Sequence, residues 1–309
     1  MKRKVIKQGN GTLTITLPKQ WTKDINLTGN SEVEITNNEN NLIISPASTE
    51  KEKTISINVD NFERLSFAKF LIACYEQGFD TMDLVFSKSI IKSWSHGEEG
   101  ITDVITFFVS RLIGFEVLSQ TKNSVKIGNI AKEHMKFESI LSRIFFLIEE
   151  YLRHLIESNN PEELTDRESR HDNITKMIAL SIREIYESNA LSKIEALNLT
   201  AILNMLDKVT DFIRYSYKNA TKPLSKETIS LAKKTLKFLD LYRSFFNKFS
   251  YKAINQLDEL RGEIKNQNIT NLKKHPAEAS VNSQFDALVE TLHGAIKPRI
   301  SIEIEKGIR

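Results

Sequence analysis

Near its start the chain reads Gly9-Asn10-Gly11-Thr12-Leu13-Thr14-Ile15-Thr16-Leu17-Pro18-Lys19-Gln20-Trp21. Glycines two apart favour a tight turn, the next six residues alternate polar with apolar as a strand does, and proline ends the run. Leu13, Ile15 and Leu17 therefore share one face. Two similar segments follow at 32–36, with Val33 and Ile35 inward, and 41–45, with Leu42 and Ile44 inward. Asn37 to Asn40 supplies a hairpin turn between them. With residues 4–7 in front, this makes about four short strands, too little surface to close a core unaided. Pairing with a second copy would supply the missing cover.

Lys2, Arg3, Lys4, Lys7, Lys19 and Lys23 are basic, and no Asp or Glu precedes Asp24. Two copies would double that charge on one surface, where each neutralised phosphate releases counterions. Lysines also guard exposed strand edges against sticking, so charge alone leaves both readings open.

The pattern Gly9-x-Gly11-x-Leu13-x-Ile15-x-Leu17-Pro18-Lys19-x-Trp21, followed by Gly29-Asn30-x-Glu32-Val33, resembles the SpoVT/AbrB-type swapped-hairpin domain over residues 1–48. That resemblance implies an intertwined homodimer and, as in many members, DNA binding. Related domains also serve as dimer platforms in antitoxins.

At 309 residues the chain has room for two or three domains, each with a core. Net charge is only +3, too small to imply a nucleic-acid coat by itself, which leaves the N-terminal concentration as the informative feature. The single cysteine, Cys74, excludes an internal disulfide and fits a reducing, cytoplasmic compartment; among Leu71, Ile72 and Tyr75 it reads as a buried thiol. The N-terminus has no apolar signal core, and the apolar run 144–148 is ended by Glu149 and Glu150, so no membrane insertion is expected.

Residues 46–53 are polar and aperiodic and read as a linker. A small α/β domain is expected over 54–130. It comprises a strand at 55–59, a helix opened by a box of Asp60 and Glu63 and stopped by Gly78, a strand at 81–86, a helix over 100–113 ended by Gly114, and strands at 115–119 and 124–127. Trp94 and His96 fall in its least regular stretch, read as a loop. The segment holds neither a Walker-type phosphate loop nor a nucleophile elbow.

From about Ile130 the pattern is helical only, giving an all-α domain over 131–309. Helices are expected at 132–158, 161–188, 192–220, 226–249, 251–268 and 277–299, with Pro161, Pro223 and Pro276 near the breaks. Three helices followed by three suggest a duplicated bundle.

Two acidic pairs, Glu168 with Asp172 and Asp207 with Asp211, stand on consecutive helices at i, i+4, opposite the apolar stripes. Laid antiparallel, the helices could gather four carboxylates, which repel one another unless cations lie between them. Hard oxygen ligands suit magnesium, manganese, iron or calcium, with zinc also possible. Glu162/Asp166, Glu259/Glu263 and Asp286/Glu290 share the spacing, so it equally describes solvated faces. His171, inside the first pair, could add a nitrogen ligand but is expected to be solvated.

Leu206-Asp207-Lys208-Val209-Thr210-Asp211-Phe212 resembles the Leu-Glu-Arg-Ile-Gly-Asp-His motif of the PhoU family, whose build is two three-helix repeats. The resemblance implies multinuclear iron or zinc on Glu168, Asp172, Asp207 and Asp211. The fifth helix, with Asn255-Gln256-Leu257-Asp258-Glu259, lacks a clean acidic pair for a second cluster. An AbrB-type hairpin followed by a PhoU-type bundle looks like the phosphate-uptake regulators of archaea. It implies a DNA-binding regulator of phosphate homeostasis or, alternatively, an adaptor that docks a phosphate transporter or signalling kinase without touching DNA. No enzyme is expected, because the histidines are scattered without ligand spacing.

Overall fold

Glycine governs the first turn. In the computed structural model φ is +67° at Gly9 and +90° at Gly11, values that side chains disfavour, and the turn joins β1 (Ile6–Gln8) to the antiparallel β2 (Thr12–Thr14). The structure describes residues 2–9, 11–38, 41–46, 52–95, 97–131, 136–188 and 191–307. β2 ends three residues before Leu17, and a short helix that the residue pattern did not signal, α1 (Lys19–Asp24), begins directly after Pro18. β3 (Val33–Asn38) pairs with β4 (Asn41–Pro46), Ile35 opposite Ile44, as expected; the tip of their turn, 39–40, lies outside the described residues. These four strands form two separate two-stranded sheets.

They belong to a compact unit, Met1–Lys51, in which no described residue is buried. Leu13, Ile35 and Leu42 are 68%, 60% and 66% exposed, whereas Leu17, Val33 and Ile44 are half-buried, so the apolar stripes read from the sequence are incompletely covered in a single copy. Covering each would be worth about 1.5–3 kcal/mol.

The second unit, Glu52–Arg309, contains both the α/β segment and the helices. A four-stranded sheet of order β5-β6-β10-β9 is built from β5 (Thr54–Asn58), β6 (Thr81–Val85), β9 (Phe115–Gln120) and β10 (Ser124–Asn129); β5 and β6 are parallel and the other pairs antiparallel. The parallel pair is bridged by α2 (Arg64–Glu76). The cap of α2 is Glu63, reciprocated by Ser66, and not Asp60. The carboxylate of Asp60 instead accepts from the amides of Ser87 (2.8 Å) and Lys88 (3.1 Å), tying the start of α2 to the loop after β6. Gly78 ends the helix at φ +77°, where a Cβ would lie 2.9 Å from the Glu187 carboxylate.

The stretch read as a loop is a hairpin, β7 (Ile90–Ser93) with β8 (Gly97–Gly100), leading into α3 (Ile101–Val109). Trp94 stands at its tip, 87% exposed, and His96 lies outside the described residues.

Helices α4 (Phe137–Ser158), α5 (Arg167–Glu187) and α6 (Lys193–Asn219) pack on one another, as do α7 (Lys226–Asn247), α8 (Tyr251–Lys274) and α9 (Ala279–Gly294), with α6 against α9 and α4 against α7. The start expected for α4, residues 132–135, lies outside the described residues. α8 runs six residues past its expected end, because Asn268 and Asn271 turn inward instead of breaking the helix, and the Asn271 amide donates to the Glu227 carbonyl (3.1 Å). The last expected helix is two, α9 and α10 (Ile296–Glu305), since Pro298 has no amide to offer the carbonyl of Gly294.

The lobe has a core around Phe67, Leu71, Met82, Leu84 and Ile105, and the helices one around Ile148, Leu206, Phe238, Phe285 and Leu288. The two cores interlock: Ala179 of α5 joins the first, and Ile113 of the lobe packs against the second. Cys74 is buried in the lobe core.

Candidate nucleic-acid interface and inter-lobe cleft

Lys2, Arg3, Lys4, Lys7, Lys19 and Lys23 are all exposed. Lys2, Arg3 and Lys4 precede β1, Lys7 pairs in register with Leu13, and Lys19 and Lys23 sit four apart on α1, hence on one side of it. Among the described residues none of the six is in an ion pair. Lysines without partners beside an uncovered apolar sheet give this unit two unmet demands, one for anions and one for apolar cover.

The acidic pairs lie where α5 and α6 meet each other and the underside of the α/β lobe. Burial brings His171 into the middle of them: it is 9% exposed, not solvated, with Nε2 3.1 Å from Asp211 Oδ1 and Nδ1 3.6 Å from Asp172 Oδ1. The spacing of Glu168 and Asp172 could not reveal this, because the partner Asp211 is forty residues away.

Each of three acids also meets a cation. Arg111, just after α3, donates to Asp172; Lys208 (2.9 Å) and Arg214 (2.8 Å) donate to Asp211; and Arg214 lies 3.6 Å from the exposed Glu168. Burial alone would raise the Asp211 carboxyl, but bonds from His171 and Lys208 and the charges of Lys208 and Arg214 bring it down to about 2. For Asp172, burial is likewise outweighed by His171 and Arg111, and its pKa is lowered. Asp207 differs. It has no hydrogen-bond or ion-pair partner among the described residues, and burial, then the charge of Asp211, pushes its carboxyl up.

Asp207 and Asp172 line a cavity of about 300 Å³ between lobe and helices, together with Glu76 of α2, Arg111, His171 and Lys176. Burial, then the charge of Asp207, pushes Glu76 up to about 7. Glu76 and Arg111 were invisible to motif reading, since only the docking of the lobe brings residues 76 and 111 to α5 and α6.

The donor set as arranged does not fit a multinuclear metal centre. Three guanidinium and ammonium groups already occupy Asp172 and Asp211, two of the four carboxylates that would have to hold the metal, and among the described residues no group of three or more His, Cys, Asp or Glu is placed to hold an ion. In the second set of helices Glu290 is held by Arg261 (2.6 and 2.7 Å) and Lys265 (3.0 Å), so it too is neutralised within the chain.

Residues 6–52 match the family model described as antidote-toxin recognition MazE, bacterial antitoxin. A search of curated proteins gives no match to the chain. No helix among the described residues is long and apolar enough to cross a membrane.

Proposed function

We propose that the chain is a DNA-binding regulator that dimerises through its first unit and is not an enzyme. One observation carries the reading. The segment matching the antitoxin family buries none of the described side chains on its apolar stripes, leaves Leu13, Ile15, Ile35 and Leu42 exposed and, beside them, carries six basic residues without acidic partners. A second copy laid on the stripes would complete a core and double the set of Lys2, Arg3, Lys4, Lys7, Lys19 and Lys23 on one particle. The phosphate backbone of a duplex is the ligand such a surface suits, because each contact releases condensed counterions.

The finer reading is regulation of phosphate uptake, with the α/β lobe and helices as the sensing or docking module. It is supported by the resemblance around Leu206-Asp207-Lys208-Val209-Thr210-Asp211-Phe212 and by two successive sets of three packed helices. Fluorescence anisotropy of a labelled promoter duplex, with the full chain and with residues 52–309, tests the DNA claim. Binding by the full chain and none by the truncated one is expected. Equal binding by both would refute it.

The family description favours a second reading, in which the same unit recognises a protein and the lysines are incidental. Gln at Lys4, Lys7 and Lys19 separates the two: DNA regulation requires lost promoter binding, whereas a protein-docking unit would keep its activity.

A further inference from the structure

Positive charge is unevenly spread along the helices. From the loop after α6 to the end of α8, residues 220–274 carry twelve Lys and Arg against five Asp and Glu, whereas the rest of the chain carries thirty-one against thirty-five. Four of those five acids are engaged within the fold: Asp240 pairs with Arg243 (2.7 Å), Glu263 with Lys234 (3.2 Å), Glu227 with His275 (3.4 Å) and Asp258 with His293 (2.6 Å). Left over on α7 are Lys226, Lys233 and Lys237, all exposed and, among the described residues, in no ion pair. Steps of seven and four residues, at about 100° each, put the three within about 20° of one line along the helix. The buried Leu231, Thr235, Phe238 and Tyr242 occupy the opposite side. The basic stripe continues at the start of α7. His275 and the Asn271 amide both reach Glu227, so the last turn of α8, with the exposed and unpaired Lys273 and Lys274, lies beside Lys226.

We propose that the lysine stripe of α7 is a second surface for the phosphate backbone of duplex DNA, and so rests on the DNA-binding reading of the first unit. Among the described residues α7 exposes no large apolar side chain, so the stripe lacks the hydrophobic centre on which a protein or membrane partner depends. A duplex requires none. It presents one negative charge about every 1.7 Å of its axis, so Lys226, Lys233 and Lys237, spread over roughly 16 Å of helix, each meet a phosphate without a matching set of side chains. Three contacts in each copy are too few for tight binding alone. The stripe therefore acts once the first unit has brought the duplex to a high local concentration, where it adds affinity and salt dependence without adding sequence preference.

The test is fluorescence anisotropy of the full chain on a labelled duplex of about 40 base pairs, over a range of salt. Three variants are compared with the natural chain: Lys226→Gln/Lys233→Gln/Lys237→Gln on α7, Lys4→Gln/Lys7→Gln/Lys19→Gln in the first unit, and Lys69→Gln/Lys92→Gln/Lys126→Gln, which removes the same charge from exposed positions of the α/β lobe. In a dimer the α7 variant should lower the logarithmic salt slope by up to roughly 5 units, at about 0.9 per contact, with an unchanged unfolding temperature, while the lobe variant keeps the natural slope. An unchanged slope in the α7 variant overturns the proposal, as does an equal fall in the lobe variant, which would make net charge the cause; the reading of the first unit then stands or falls on the Lys4→Gln/Lys7→Gln/Lys19→Gln variant alone. A slope lowered in the α7 variant and unaltered in the first-unit variant supports the stripe and overturns that reading. A natural chain that binds no duplex overturns both.

Discussion

The guanidinium of Arg183 on α5, itself 3% exposed, donates to the main-chain carbonyl of Tyr75 at 2.9 Å, so a side chain of the helical part completes the last turn of α2 in the lobe. The same group reaches the Phe79 carbonyl (2.8 Å) and pairs with Glu187 (2.8 Å). Those carbonyls belong to the helix end and the chain just past it, where the i+4 ladder stops; the Tyr75 carbonyl also accepts from the Gly78 amide (3.0 Å).

Arg183→Met keeps the bulk of the stem and removes the donors. The Tyr75 and Phe79 carbonyls and the Asp80 and Glu187 carboxylates would each lose the guanidinium, and the loss of stability should be about 2–4 kcal/mol in urea unfolding. Amides of α2 should exchange faster with solvent than those of α9. A loss within 0.5 kcal/mol of zero would mean, by roughly the size of a neutral surface substitution, that the contact is dispensable.

Glu76 makes stability depend on pH in a stated direction. Its folded pKa of about 7 lies above the ordinary 4.5, so the contribution of its neutral form is complete below about 4.5 and is lost as pH rises through about 7. Glu76→Gln escapes that loss. The stability of the variant relative to the natural chain should grow by about 1–2 kcal/mol between pH 5 and pH 8, after allowance for solvent screening. Urea midpoints at the two pH values measure it, and a gap that does not widen counts against the buried carboxylate.

His171 acts with the same sign through the opposite charge. Burial lowers the imidazole pKa, but Asp172 and Asp211 outweigh it and the net shift is upward. The protonated ring therefore stabilises the α5 and α6 contact fully below about 6.5, and the contribution is lost as pH rises through the folded pKa. His171→Gln should lose about 1–2 kcal/mol at pH 6 and less at pH 8. Equal losses at both pH values would show that the ring only fills space.

The lysines predict a salt slope. With Lys4, Lys7 and Lys19 replaced by Gln in both copies of a dimer, the logarithmic dependence of DNA affinity on salt should fall by up to roughly 5 units, at about 0.9 per phosphate contact. An unchanged slope in anisotropy titrations would move the DNA contact elsewhere.

What could be read in advance follows the range of the interactions. Turns at Gly9 and Gly11, the alternation in β3 and β4 and the apolar stripes of α4 to α9 are written in neighbouring residues, and the structure has them. The hairpin of β7 and β8 was missed because Gly97-Glu98-Glu99-Gly100 has no apolar alternation; its register is fixed by backbone pairing, with Ile91 opposite Glu99. Asp60 was misread since its partners, Ser87 and Lys88, lie 27 and 28 residues on. Asp172 and Asp207 are legible from spacing, but Glu76, which shares their cleft, and Arg111, which pairs with Asp172, come from the α/β lobe and are not.

The central claim is that residues 1–51 complete a core only in pairs. Sedimentation equilibrium of the full chain and of Leu13→Asp/Ile35→Asp, at the same low micromolar concentration, tests it most directly. The natural chain should have the mass of a dimer and the variant that of a monomer whose second unit, Glu52–Arg309, unfolds at an unchanged temperature. A monomeric natural chain with protected amides in β3 and β4 would contradict the account.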